Sequence, residues 1–218
     1  YVGNLDLNLH DSQIKGAINF DSSRLRDILF ITKDIVSAPF IIDGLGHAKV
    51  KLSGPLDFWK MNYALDADFK DIQIHTENFS SLKVNINAEN GTALFSNSAL
   101  IRKNSHLSIE GSIKSDKTFN LNGNGTGFKL EESEFIKSLS VPIFGDFGFS
   151  YTTTGPINDP RLAVQIKVNE SLVGEKILEP SQLKMNLGKS AMEWDLDLFN
   201  QKLTAFIRWP FDAGDGKY

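Results

Sequence analysis

The carboxylates are the first residues of this chain that could do chemistry. Glu193, Asp195 and Asp197 alternate with other residues, so on a β-strand they would share one face, as would Asp66 and Asp68. Paired carboxylates on one face can carry out acid–base chemistry or bind Ca²⁺. The same alternation is typical of the solvated face of a strand, and that is the interpretation we favour.

Two other patterns could indicate a ligand site. The histidines are His10, His47, His75 and His106. They are scattered and match no HxH or HExxH spacing, so the sequence predicts no metal site. The run from Gly123 to Gly127 faintly resembles a phosphate-binding loop but lacks the lysine and long helix that complete one, so a turn at a strand end is favoured. The chain has no cysteine, which excludes a cysteine nucleophile. We therefore expect no catalytic residue, no cofactor and no enzymatic activity.

Composition narrows the class of protein further. The 218 residues carry a net charge of −4 without a basic patch, which argues against a nucleic-acid partner. The length suits one large all-β domain or two small ones. No apolar run reaches the roughly 18 residues of a membrane span, and there is no signal-peptide pattern. We expect a fragment or processed form of a longer protein, with any anchor outside it.

Most of the chain alternates apolar and polar residues, which predicts about a dozen strands with one apolar face each. The clearest examples are Trp59–Phe69, Leu82–Glu89, Leu162–Val168 and Glu193–Leu198. Asn90-Gly91 is a strong signal for a tight hairpin turn. In the weaker run after this turn, Ala93, Phe95 and Ile101 are expected to share a face.

Two segments change to helical spacing. Ser22–Val36 and Glu131–Ser140 are each predicted to form a short amphipathic helix, the second with three glutamates in its first turn, where the helix dipole favours them. These helices could plug or gate a groove, or simply cover an end of a sheet.

The order of these elements repeats. Gly54-Pro55-Leu56 and Gly155-Pro156-Ile157 lie 155 − 54 = 101 residues apart. Each follows a predicted helix and strand, and each precedes a long strand and a series of hairpins. We therefore predict the end of one repeat with its helix at 1–43, a repeat unit at 44–140, a partial second unit at 141–210, and a tail at 211–218.

A dozen one-faced strands can bury their apolar sides in several ways. They can pack as a closed β-sandwich or barrel, or form a long twisted sheet bent into a U with an apolar trough. A β-solenoid would need a regular short repeat period, which the strands lack.

A resemblance favours the U-shaped sheet. Its features are a short helix, a Gly/Phe-rich strand from Gly145, the turn Gly155-Pro156-Ile157-Asn158-Asp159-Pro160, and descending hairpins through Trp209. This unit resembles the AsmA-like envelope proteins, and within them the TamB (translocation and assembly module) family. The turn is similar to that family's Gly-x-hydrophobic-x-(Asn/Asp)-Pro signature, which Gly54-Pro55-Leu56-Asp57 matches only in part.

The resemblance implies an all-β, taco-like sheet of antiparallel or mixed strands, with an apolar groove and short amphipathic helices. It also implies a periplasmic segment of a protein anchored in the bacterial inner membrane. Such proteins are implicated in carrying phospholipid to the outer membrane, and in outer-membrane protein insertion with an Omp85-type partner. The expected ligands are phospholipid acyl chains, because each methylene exposed to water costs roughly 0.8 kcal/mol.

The residues predicted to line the groove are the apolar members of the alternating strands. They are Leu52, Met61, Tyr63, Leu65, Phe69, Leu82, Val84, Ile86, Leu107, Ile109, Phe147, Phe149, Leu162, Val164, Ile166, Trp194, Leu196 and Leu198. The same pattern would serve as an ordinary sandwich core, since most one-faced strands simply pack.

Two rival functions stay open at this point. A scaffold or assembly factor could use an exposed sheet edge to template client strands by β-augmentation. A carbohydrate-binding β-sandwich would need exposed aromatic residues in a cleft. The placement of Trp59, Trp194 and Trp209 in apolar rows argues against it.

Overall fold

The computed structural model describes residues 2–8, 13–27, 42–57, 59–139 and 141–211. About three-quarters (76%) of these residues belong to β-strands, which confirms the all-β class. The chain divides between Asp116 and Lys117 into two compact units, called unit 1 and unit 2 below. The repeat boundaries predicted from the sequence remain predictions.

Unit 1 is an antiparallel meander in which each strand pairs with the next along the chain. Its strands are β1 (Val2–Asn8), β2 (Gln13–Arg24), β3 (Ile42–Pro55), β4 (Asn62–Ile74), β5 (Glu77–Glu89), β6 (Thr92–Arg102) and β7 (Ser105–Lys114). The Asn90-Gly91 hairpin is confirmed, since both residues have the positive φ that a tight two-residue turn requires (52° and 73°).

Unit 2 is a second antiparallel meander. Its strands are β8 (Thr118–Lys129), β9 (Ile143–Pro156), β10 (Arg161–Val173), β11 (Lys176–Leu178), β12 (Ser181–Leu187), β13 (Ala191–Leu198) and β14 (Leu203–Pro210). Both β11 and β12 pair with β10, so they act as one strand interrupted at Glu179-Pro180. Every strand pairing within the described parts of each unit is antiparallel, so of the antiparallel and mixed arrangements predicted, the antiparallel one is found there.

Of the two predicted helices, the first begins later than expected and the second is shorter than expected. Ser22 to Arg24 belong to β2, residues 25–27 are helical, and the rest of the first predicted helix lies outside the described residues. The second is a 3-10 turn, Leu130–Glu132, followed by helix α1, Glu134–Ser138. The Ser133 hydroxyl caps α1 by accepting from the Ile136 N–H.

The two units share a strand plan. In each, a 12-residue strand (β2 or β8) leads through a helical segment to a 14-residue strand (β3 or β9), and a 13-residue strand (β4 or β10) follows. β3 and β9 both end at a Gly-Pro pair. Gly54 and Gly155 have φ of 109° and 102°, values that residues with a side chain rarely adopt. This backbone requirement explains why glycine occurs at the same place in both units.

The same bulges also occur in both units. From Phe20 to Ser23, β2 advances three residues while β3 advances two, and β8 does the same against β9 from Gly125 to Phe128. The residue that absorbs the extra length has positive φ in each, Ser22 at 51° and Gly127 at 71°. The glycine-rich run at 123–127 therefore lies inside a strand, and the prediction of a turn at a strand end is wrong.

Unit 1 has a compact apolar core. Phe69 and Ile72 are 2% and 0% exposed and form a cluster with Ala48, Ala67 and Leu100. Leu25, from the helical segment after β2, completes the cluster. Asp71 has φ of 52° and marks a bulge of β4 against β3. Gly44 and Gly46 of β3 allow β4 to pack this closely. A methyl group at Gly44 would overlap Ile72, and one at Gly46 would overlap the backbone of Asp68 and Phe69.

Unit 2 packs with aromatic rings instead. The Phe128 ring centroid lies 5.5 Å from that of Phe147 and 5.4 Å from that of Phe149. The Phe149 ring covers Gly125 so closely that a Cβ on this glycine would overlap it. Glycine inside β8 is thus a packing feature, in which a neighbouring ring covers the backbone.

Candidate functional site: an apolar face on each unit

Unit 2 has one apolar face that crosses six strands. Register places residues directly opposite one another on the same face. One row runs Tyr151, Val164, Met185, Trp194 and Ile207 across β9, β10, β12, β13 and β14. We call the set to which this row belongs the apolar face of unit 2. Its other members are Leu121, Phe147, Phe149, Leu162, Ile166, Val168, Leu183, Leu187, Met192, Leu196, Leu198, Leu203, Ala205 and Trp209.

This face is incompletely covered. Among the residues described in unit 2, Phe128, at 9% exposed, is the one large apolar residue that is buried. Exposure is greatest on β14, where Leu203, Ile207 and Trp209 are 52%, 48% and 66% exposed. Apolar side chains that are only partly buried keep much of the free energy that further burial would release.

The opposite face of unit 2 is polar. β9 presents Ser150, Thr152 and Thr154 there, β10 presents Gln165 and Lys167, and β12 presents Gln182 and Lys184. Glu193, Asp195 and Asp197 of β13 also lie on this face, which confirms that the alternating carboxylates share one side of a strand.

These carboxylates have basic or polar partners. Glu193 forms an ion pair with Arg208 at 3.3 Å, and Lys184 and Gln182 stand opposite Asp195 and Asp197. Within the described part of the chain, no three His, Asp or Glu side chains are grouped so that they could hold a metal ion. The arrangement fits a solvated strand face.

Two shallow depressions lie against this polar side of unit 2. One, of about 360 Å³, is lined by Lys184, Asp195, Asp197 and Phe206 among others. The other, of about 350 Å³, includes Arg161, Glu193 and Arg208. Both are open to solvent. In the second depression the Glu193 carboxylate and the Arg208 guanidinium are already paired with each other.

Unit 1 has an apolar face built in the same way. One row runs Ile18, Val50, Leu65, Ile86 and Phe95 across five successive strands. The neighbouring rows contribute the other members of the apolar face of unit 1, Phe20, Ala48, Leu52, Tyr63, Ala67, Phe69, Leu82, Val84, Ala88, Ala93, Leu100, Leu107, Ile109 and Ile113. The middle of this face is buried around Phe69 and Leu100, unlike that of unit 2.

The structure brings almost all of the predicted groove residues onto these two faces. Eight of them belong to the apolar face of unit 2 and nine to that of unit 1. Met61 is the exception, because it precedes β4 in the turn where Asp57 accepts from the Lys60 and Met61 N–H groups. Trp59 lies in the same turn, so the prediction that it belongs to a strand row is wrong. Whether these residues bind lipid remains a prediction.

Sequence reasoning assigned the wrong residue in β6. A bulge at Asn97, with φ of 50°, shifts the phase of the strand, so Leu100 rather than Ile101 stands opposite Leu82 on the apolar face. The buried Ser98 fills the irregular site, where its hydroxyl accepts from the Asn85 N–H at 3.0 Å. A serine between two short apolar runs gave no usable signal in advance.

The pKa values of two tyrosines indicate how far water is excluded from these faces. Burial raises the pKa of the Tyr63 phenol on unit 1 and of the Tyr151 phenol on unit 2 above the ordinary value of 10.0. The cause in both is desolvation, which disfavours the charged phenolate.

β14 is the last strand described in unit 2, and the structure pairs it with β13 alone. All eight of its residues are exposed. The Phe211 N–H donates to the Ser190 carbonyl at 2.8 Å. Since backbone directions alternate, the N–H groups of Leu203, Ala205, Ile207 and Trp209 also face β13, and those of Thr204, Phe206 and Arg208 face away from it. Pro210 takes the next outward position, where its missing N–H costs no bond to β13.

Comparison with protein families, with curated proteins and with solved structures gave no match to this chain. Among the helices in the described ranges, none is long and apolar enough to cross a membrane.

Proposed function

We propose that this chain is a lipid-carrying segment of an envelope protein similar to the TamB and AsmA-like proteins. In this role its apolar faces shelter phospholipid acyl chains on their way through the periplasm, and the protein to which it belongs is anchored in the bacterial inner membrane. The observation that carries the proposal is the apolar face of unit 2, which is continuous, only partly buried and backed by a polar face.

The dimensions of this face suit an acyl chain. Strands lie about 4.8 Å apart, so the six strands from β8 to β14 give a path of roughly 24 Å. One leaflet of a bilayer has a hydrocarbon thickness of roughly 15 Å. Each methylene that moves from water onto such a path gains roughly 0.8 kcal/mol, so a single chain could be held without any charged anchor.

The composition of the face also favours a mobile ligand over a fixed one. Its members are mainly aliphatic and aromatic, its polar groups being those of Tyr151, Thr153 and Ser181. The charged side chains of β12 and β13, which could fix the orientation of a small molecule, lie on the opposite face. Such a surface discriminates weakly between apolar chains, which suits transport. An Omp85-type partner would bind elsewhere in the protein.

The first test is mass spectrometry of an organic extract of the chain, purified without detergent. We expect phospholipid at a stoichiometric amount, reduced severalfold in an Ile166→Asp variant, because a carboxylate in the middle of the apolar face is costly to desolvate. Val84→Asp applies the same change to unit 1.

Gln165→Asp is the matched control, since it adds the same charge next to Ile166 but on the polar face. A lipid-free extract from the folded, unmodified chain would refute the proposal. So would equal lipid content in the Ile166→Asp and Gln165→Asp variants.

A further inference from the structure

We propose that β14 is a self-complementary edge, through which two copies of this chain pair antiparallel about a twofold axis at Phe206. The proposal concerns an interaction surface and stands independently of lipid binding. It rests on the outward backbone groups of β14, on the exposure of its side chains, and on which residues one register brings together.

The backbone of β14 is ready to pair. Thr204, Phe206 and Arg208 direct both their N–H and their C=O groups away from β13. An edge strand with unused backbone groups is a template for another strand unless charge, proline or covering elements block it. Within β14, Arg208 is the one charged residue and Pro210 stands at the end.

A twofold axis at Phe206 satisfies every outward N–H group. Phe206 then faces Phe206 of the second copy, and Thr204 faces its Arg208, so each of the three outward N–H groups meets an outward carbonyl. Pro210 falls opposite Lys202 of the second copy, beyond the last of these bonds. The missing donor of the proline therefore costs nothing in this register.

The side chains are complementary in the same register. On the apolar side, Leu203 meets Trp209 of the second copy and Ala205 meets its Ile207. On the other side the two Phe206 rings meet, each of them 61% exposed in the single chain. Apolar residues thus pair with apolar residues on both faces of the strand.

The neighbouring registers are worse for identifiable reasons. A shift by one pair in one direction sets Arg208 opposite Lys202 of the second copy, which places like charges together. The opposite shift sets Thr204 against Pro210, and the Thr204 carbonyl then loses its donor. The strand sequence therefore favours one register over its neighbours.

This pairing also extends the apolar face. Residues that stand opposite one another across paired strands share a side of the sheet, so the row through Trp194 and Ile207 would continue into Ala205 and Leu196 of the second copy. The polar faces of the two copies would likewise coincide.

The chain has no cysteine, so a single one can be introduced without background. In a hydrogen-bonded antiparallel pair the Cα atoms are about 5.5 Å apart, which lies within the range that a disulfide spans. Under mild oxidation we expect Phe206→Cys to form a disulfide-linked dimer at least about tenfold faster than Thr204→Cys, because residue 204 of the second copy lies about four residues along the strand from the position opposite Thr204.

Sedimentation of the unmodified chain provides the second measurement. We expect a reversible dimer, and in Phe206→Lys a dissociation constant at least about tenfold higher, because two ammonium groups replace an aromatic pair. Circular dichroism of this variant should match that of the unmodified chain, since residue 206 makes no backbone bond to β13.

Three outcomes would overturn the proposal. One is a chain that stays monomeric at all concentrations up to about 100 µM, which is well above the micromolar dissociation constants of weak interfaces. Another is equal crosslinking from positions 204 and 206. The third is a photo-crosslinker at position 206 that captures residues after 211 of the same chain, or an unrelated polypeptide, in place of the second copy.

Discussion

Units 1 and 2 follow one strand plan but bury their apolar faces to different depths. In unit 1, Phe69, Ile72 and Leu100 are nearly inaccessible around Leu25. In unit 2 the apolar face carries Phe147 and Phe149 on β9, whose rings pack on Phe128 and Gly125 and stay partly exposed. A shared order of strands therefore does not dictate a shared core, because the covering residues decide how dry each face becomes.

The largest expected difference concerns two phenylalanines. Phe69→Ala should lower the free energy of unfolding by about 3–5 kcal/mol, because it leaves a cavity in a sealed cluster. Phe149→Ala should cost roughly 1–2 kcal/mol, since its ring is already partly in water. Guanidinium unfolding of both variants measures the difference. An equal loss for the two would show that the faces are buried alike.

Two glycines give a smaller contrast. Gly46→Ala places a methyl group on the backbone of Asp68 and Phe69, so β3 and β4 must separate, at a cost of about 2–3 kcal/mol. In Gly125→Ala the three atoms nearest to the new methyl group all belong to the Phe149 ring, which can turn aside, so the cost should be about 1 kcal/mol. Thermal unfolding of the pair tests this ranking. The reverse order would mean that the Phe149 ring is held as rigidly as backbone.

The amides of β5 and β11, which follow corresponding strands in units 1 and 2, should exchange their hydrogens at different rates. β5 is continuous, whereas its counterpart is interrupted at Glu179-Pro180, and Ile177 in β11 is 67% exposed. We expect the amides of residues 176–178 to exchange roughly tenfold or more faster than those of residues 77–79. Comparable protection in both would indicate that the interruption leaves the strand as stable as β5.

The smallest expected effect is on tyrosine ionisation. The folded pKa values of Tyr63 and Tyr151 lie above the unfolded value of 10.0, so their contribution to stability is complete below pH 10 and is lost as pH rises through the folded values. Each of the substitutions Tyr63→Phe and Tyr151→Phe should remove one late-titrating phenol from the ultraviolet titration curve of the unmodified chain. If the phenol lost from either variant titrates at the ordinary value, its face is wetter than described.

The sequence was informative where alternation is strict. The strands around Leu162–Val168 and Glu193–Leu198 have no internal irregularity in these stretches, so period-2 reasoning placed every side chain on the correct face. Asn90-Gly91 succeeded for a similar reason, since a two-residue turn has a narrow set of suitable residues.

Prediction failed where tertiary contacts override local preference. Gly125 and Gly127 suggested a turn, but the Phe149 ring covers one and a bulge uses the other. Ile101 was placed on the wrong face because the bulge at Asn97 is set by pairing with both neighbouring strands. The ring and the pairing both involve residues distant in sequence, which local patterns do not register.

The bulge at Asn97 has a consequence for how the gene can change. Deletion of this single codon would leave Phe95 and Ser98 two positions apart, so β6 would align with β5 and β7 without an irregularity and every later side chain would keep its face. Deletion of a codon in the regular part of a strand, such as that for Leu65, would move every following side chain to the opposite face of the sheet, up to the next irregularity. Length variation in such sheets should therefore accumulate at bulges, which serve as the points where one residue can be gained or lost.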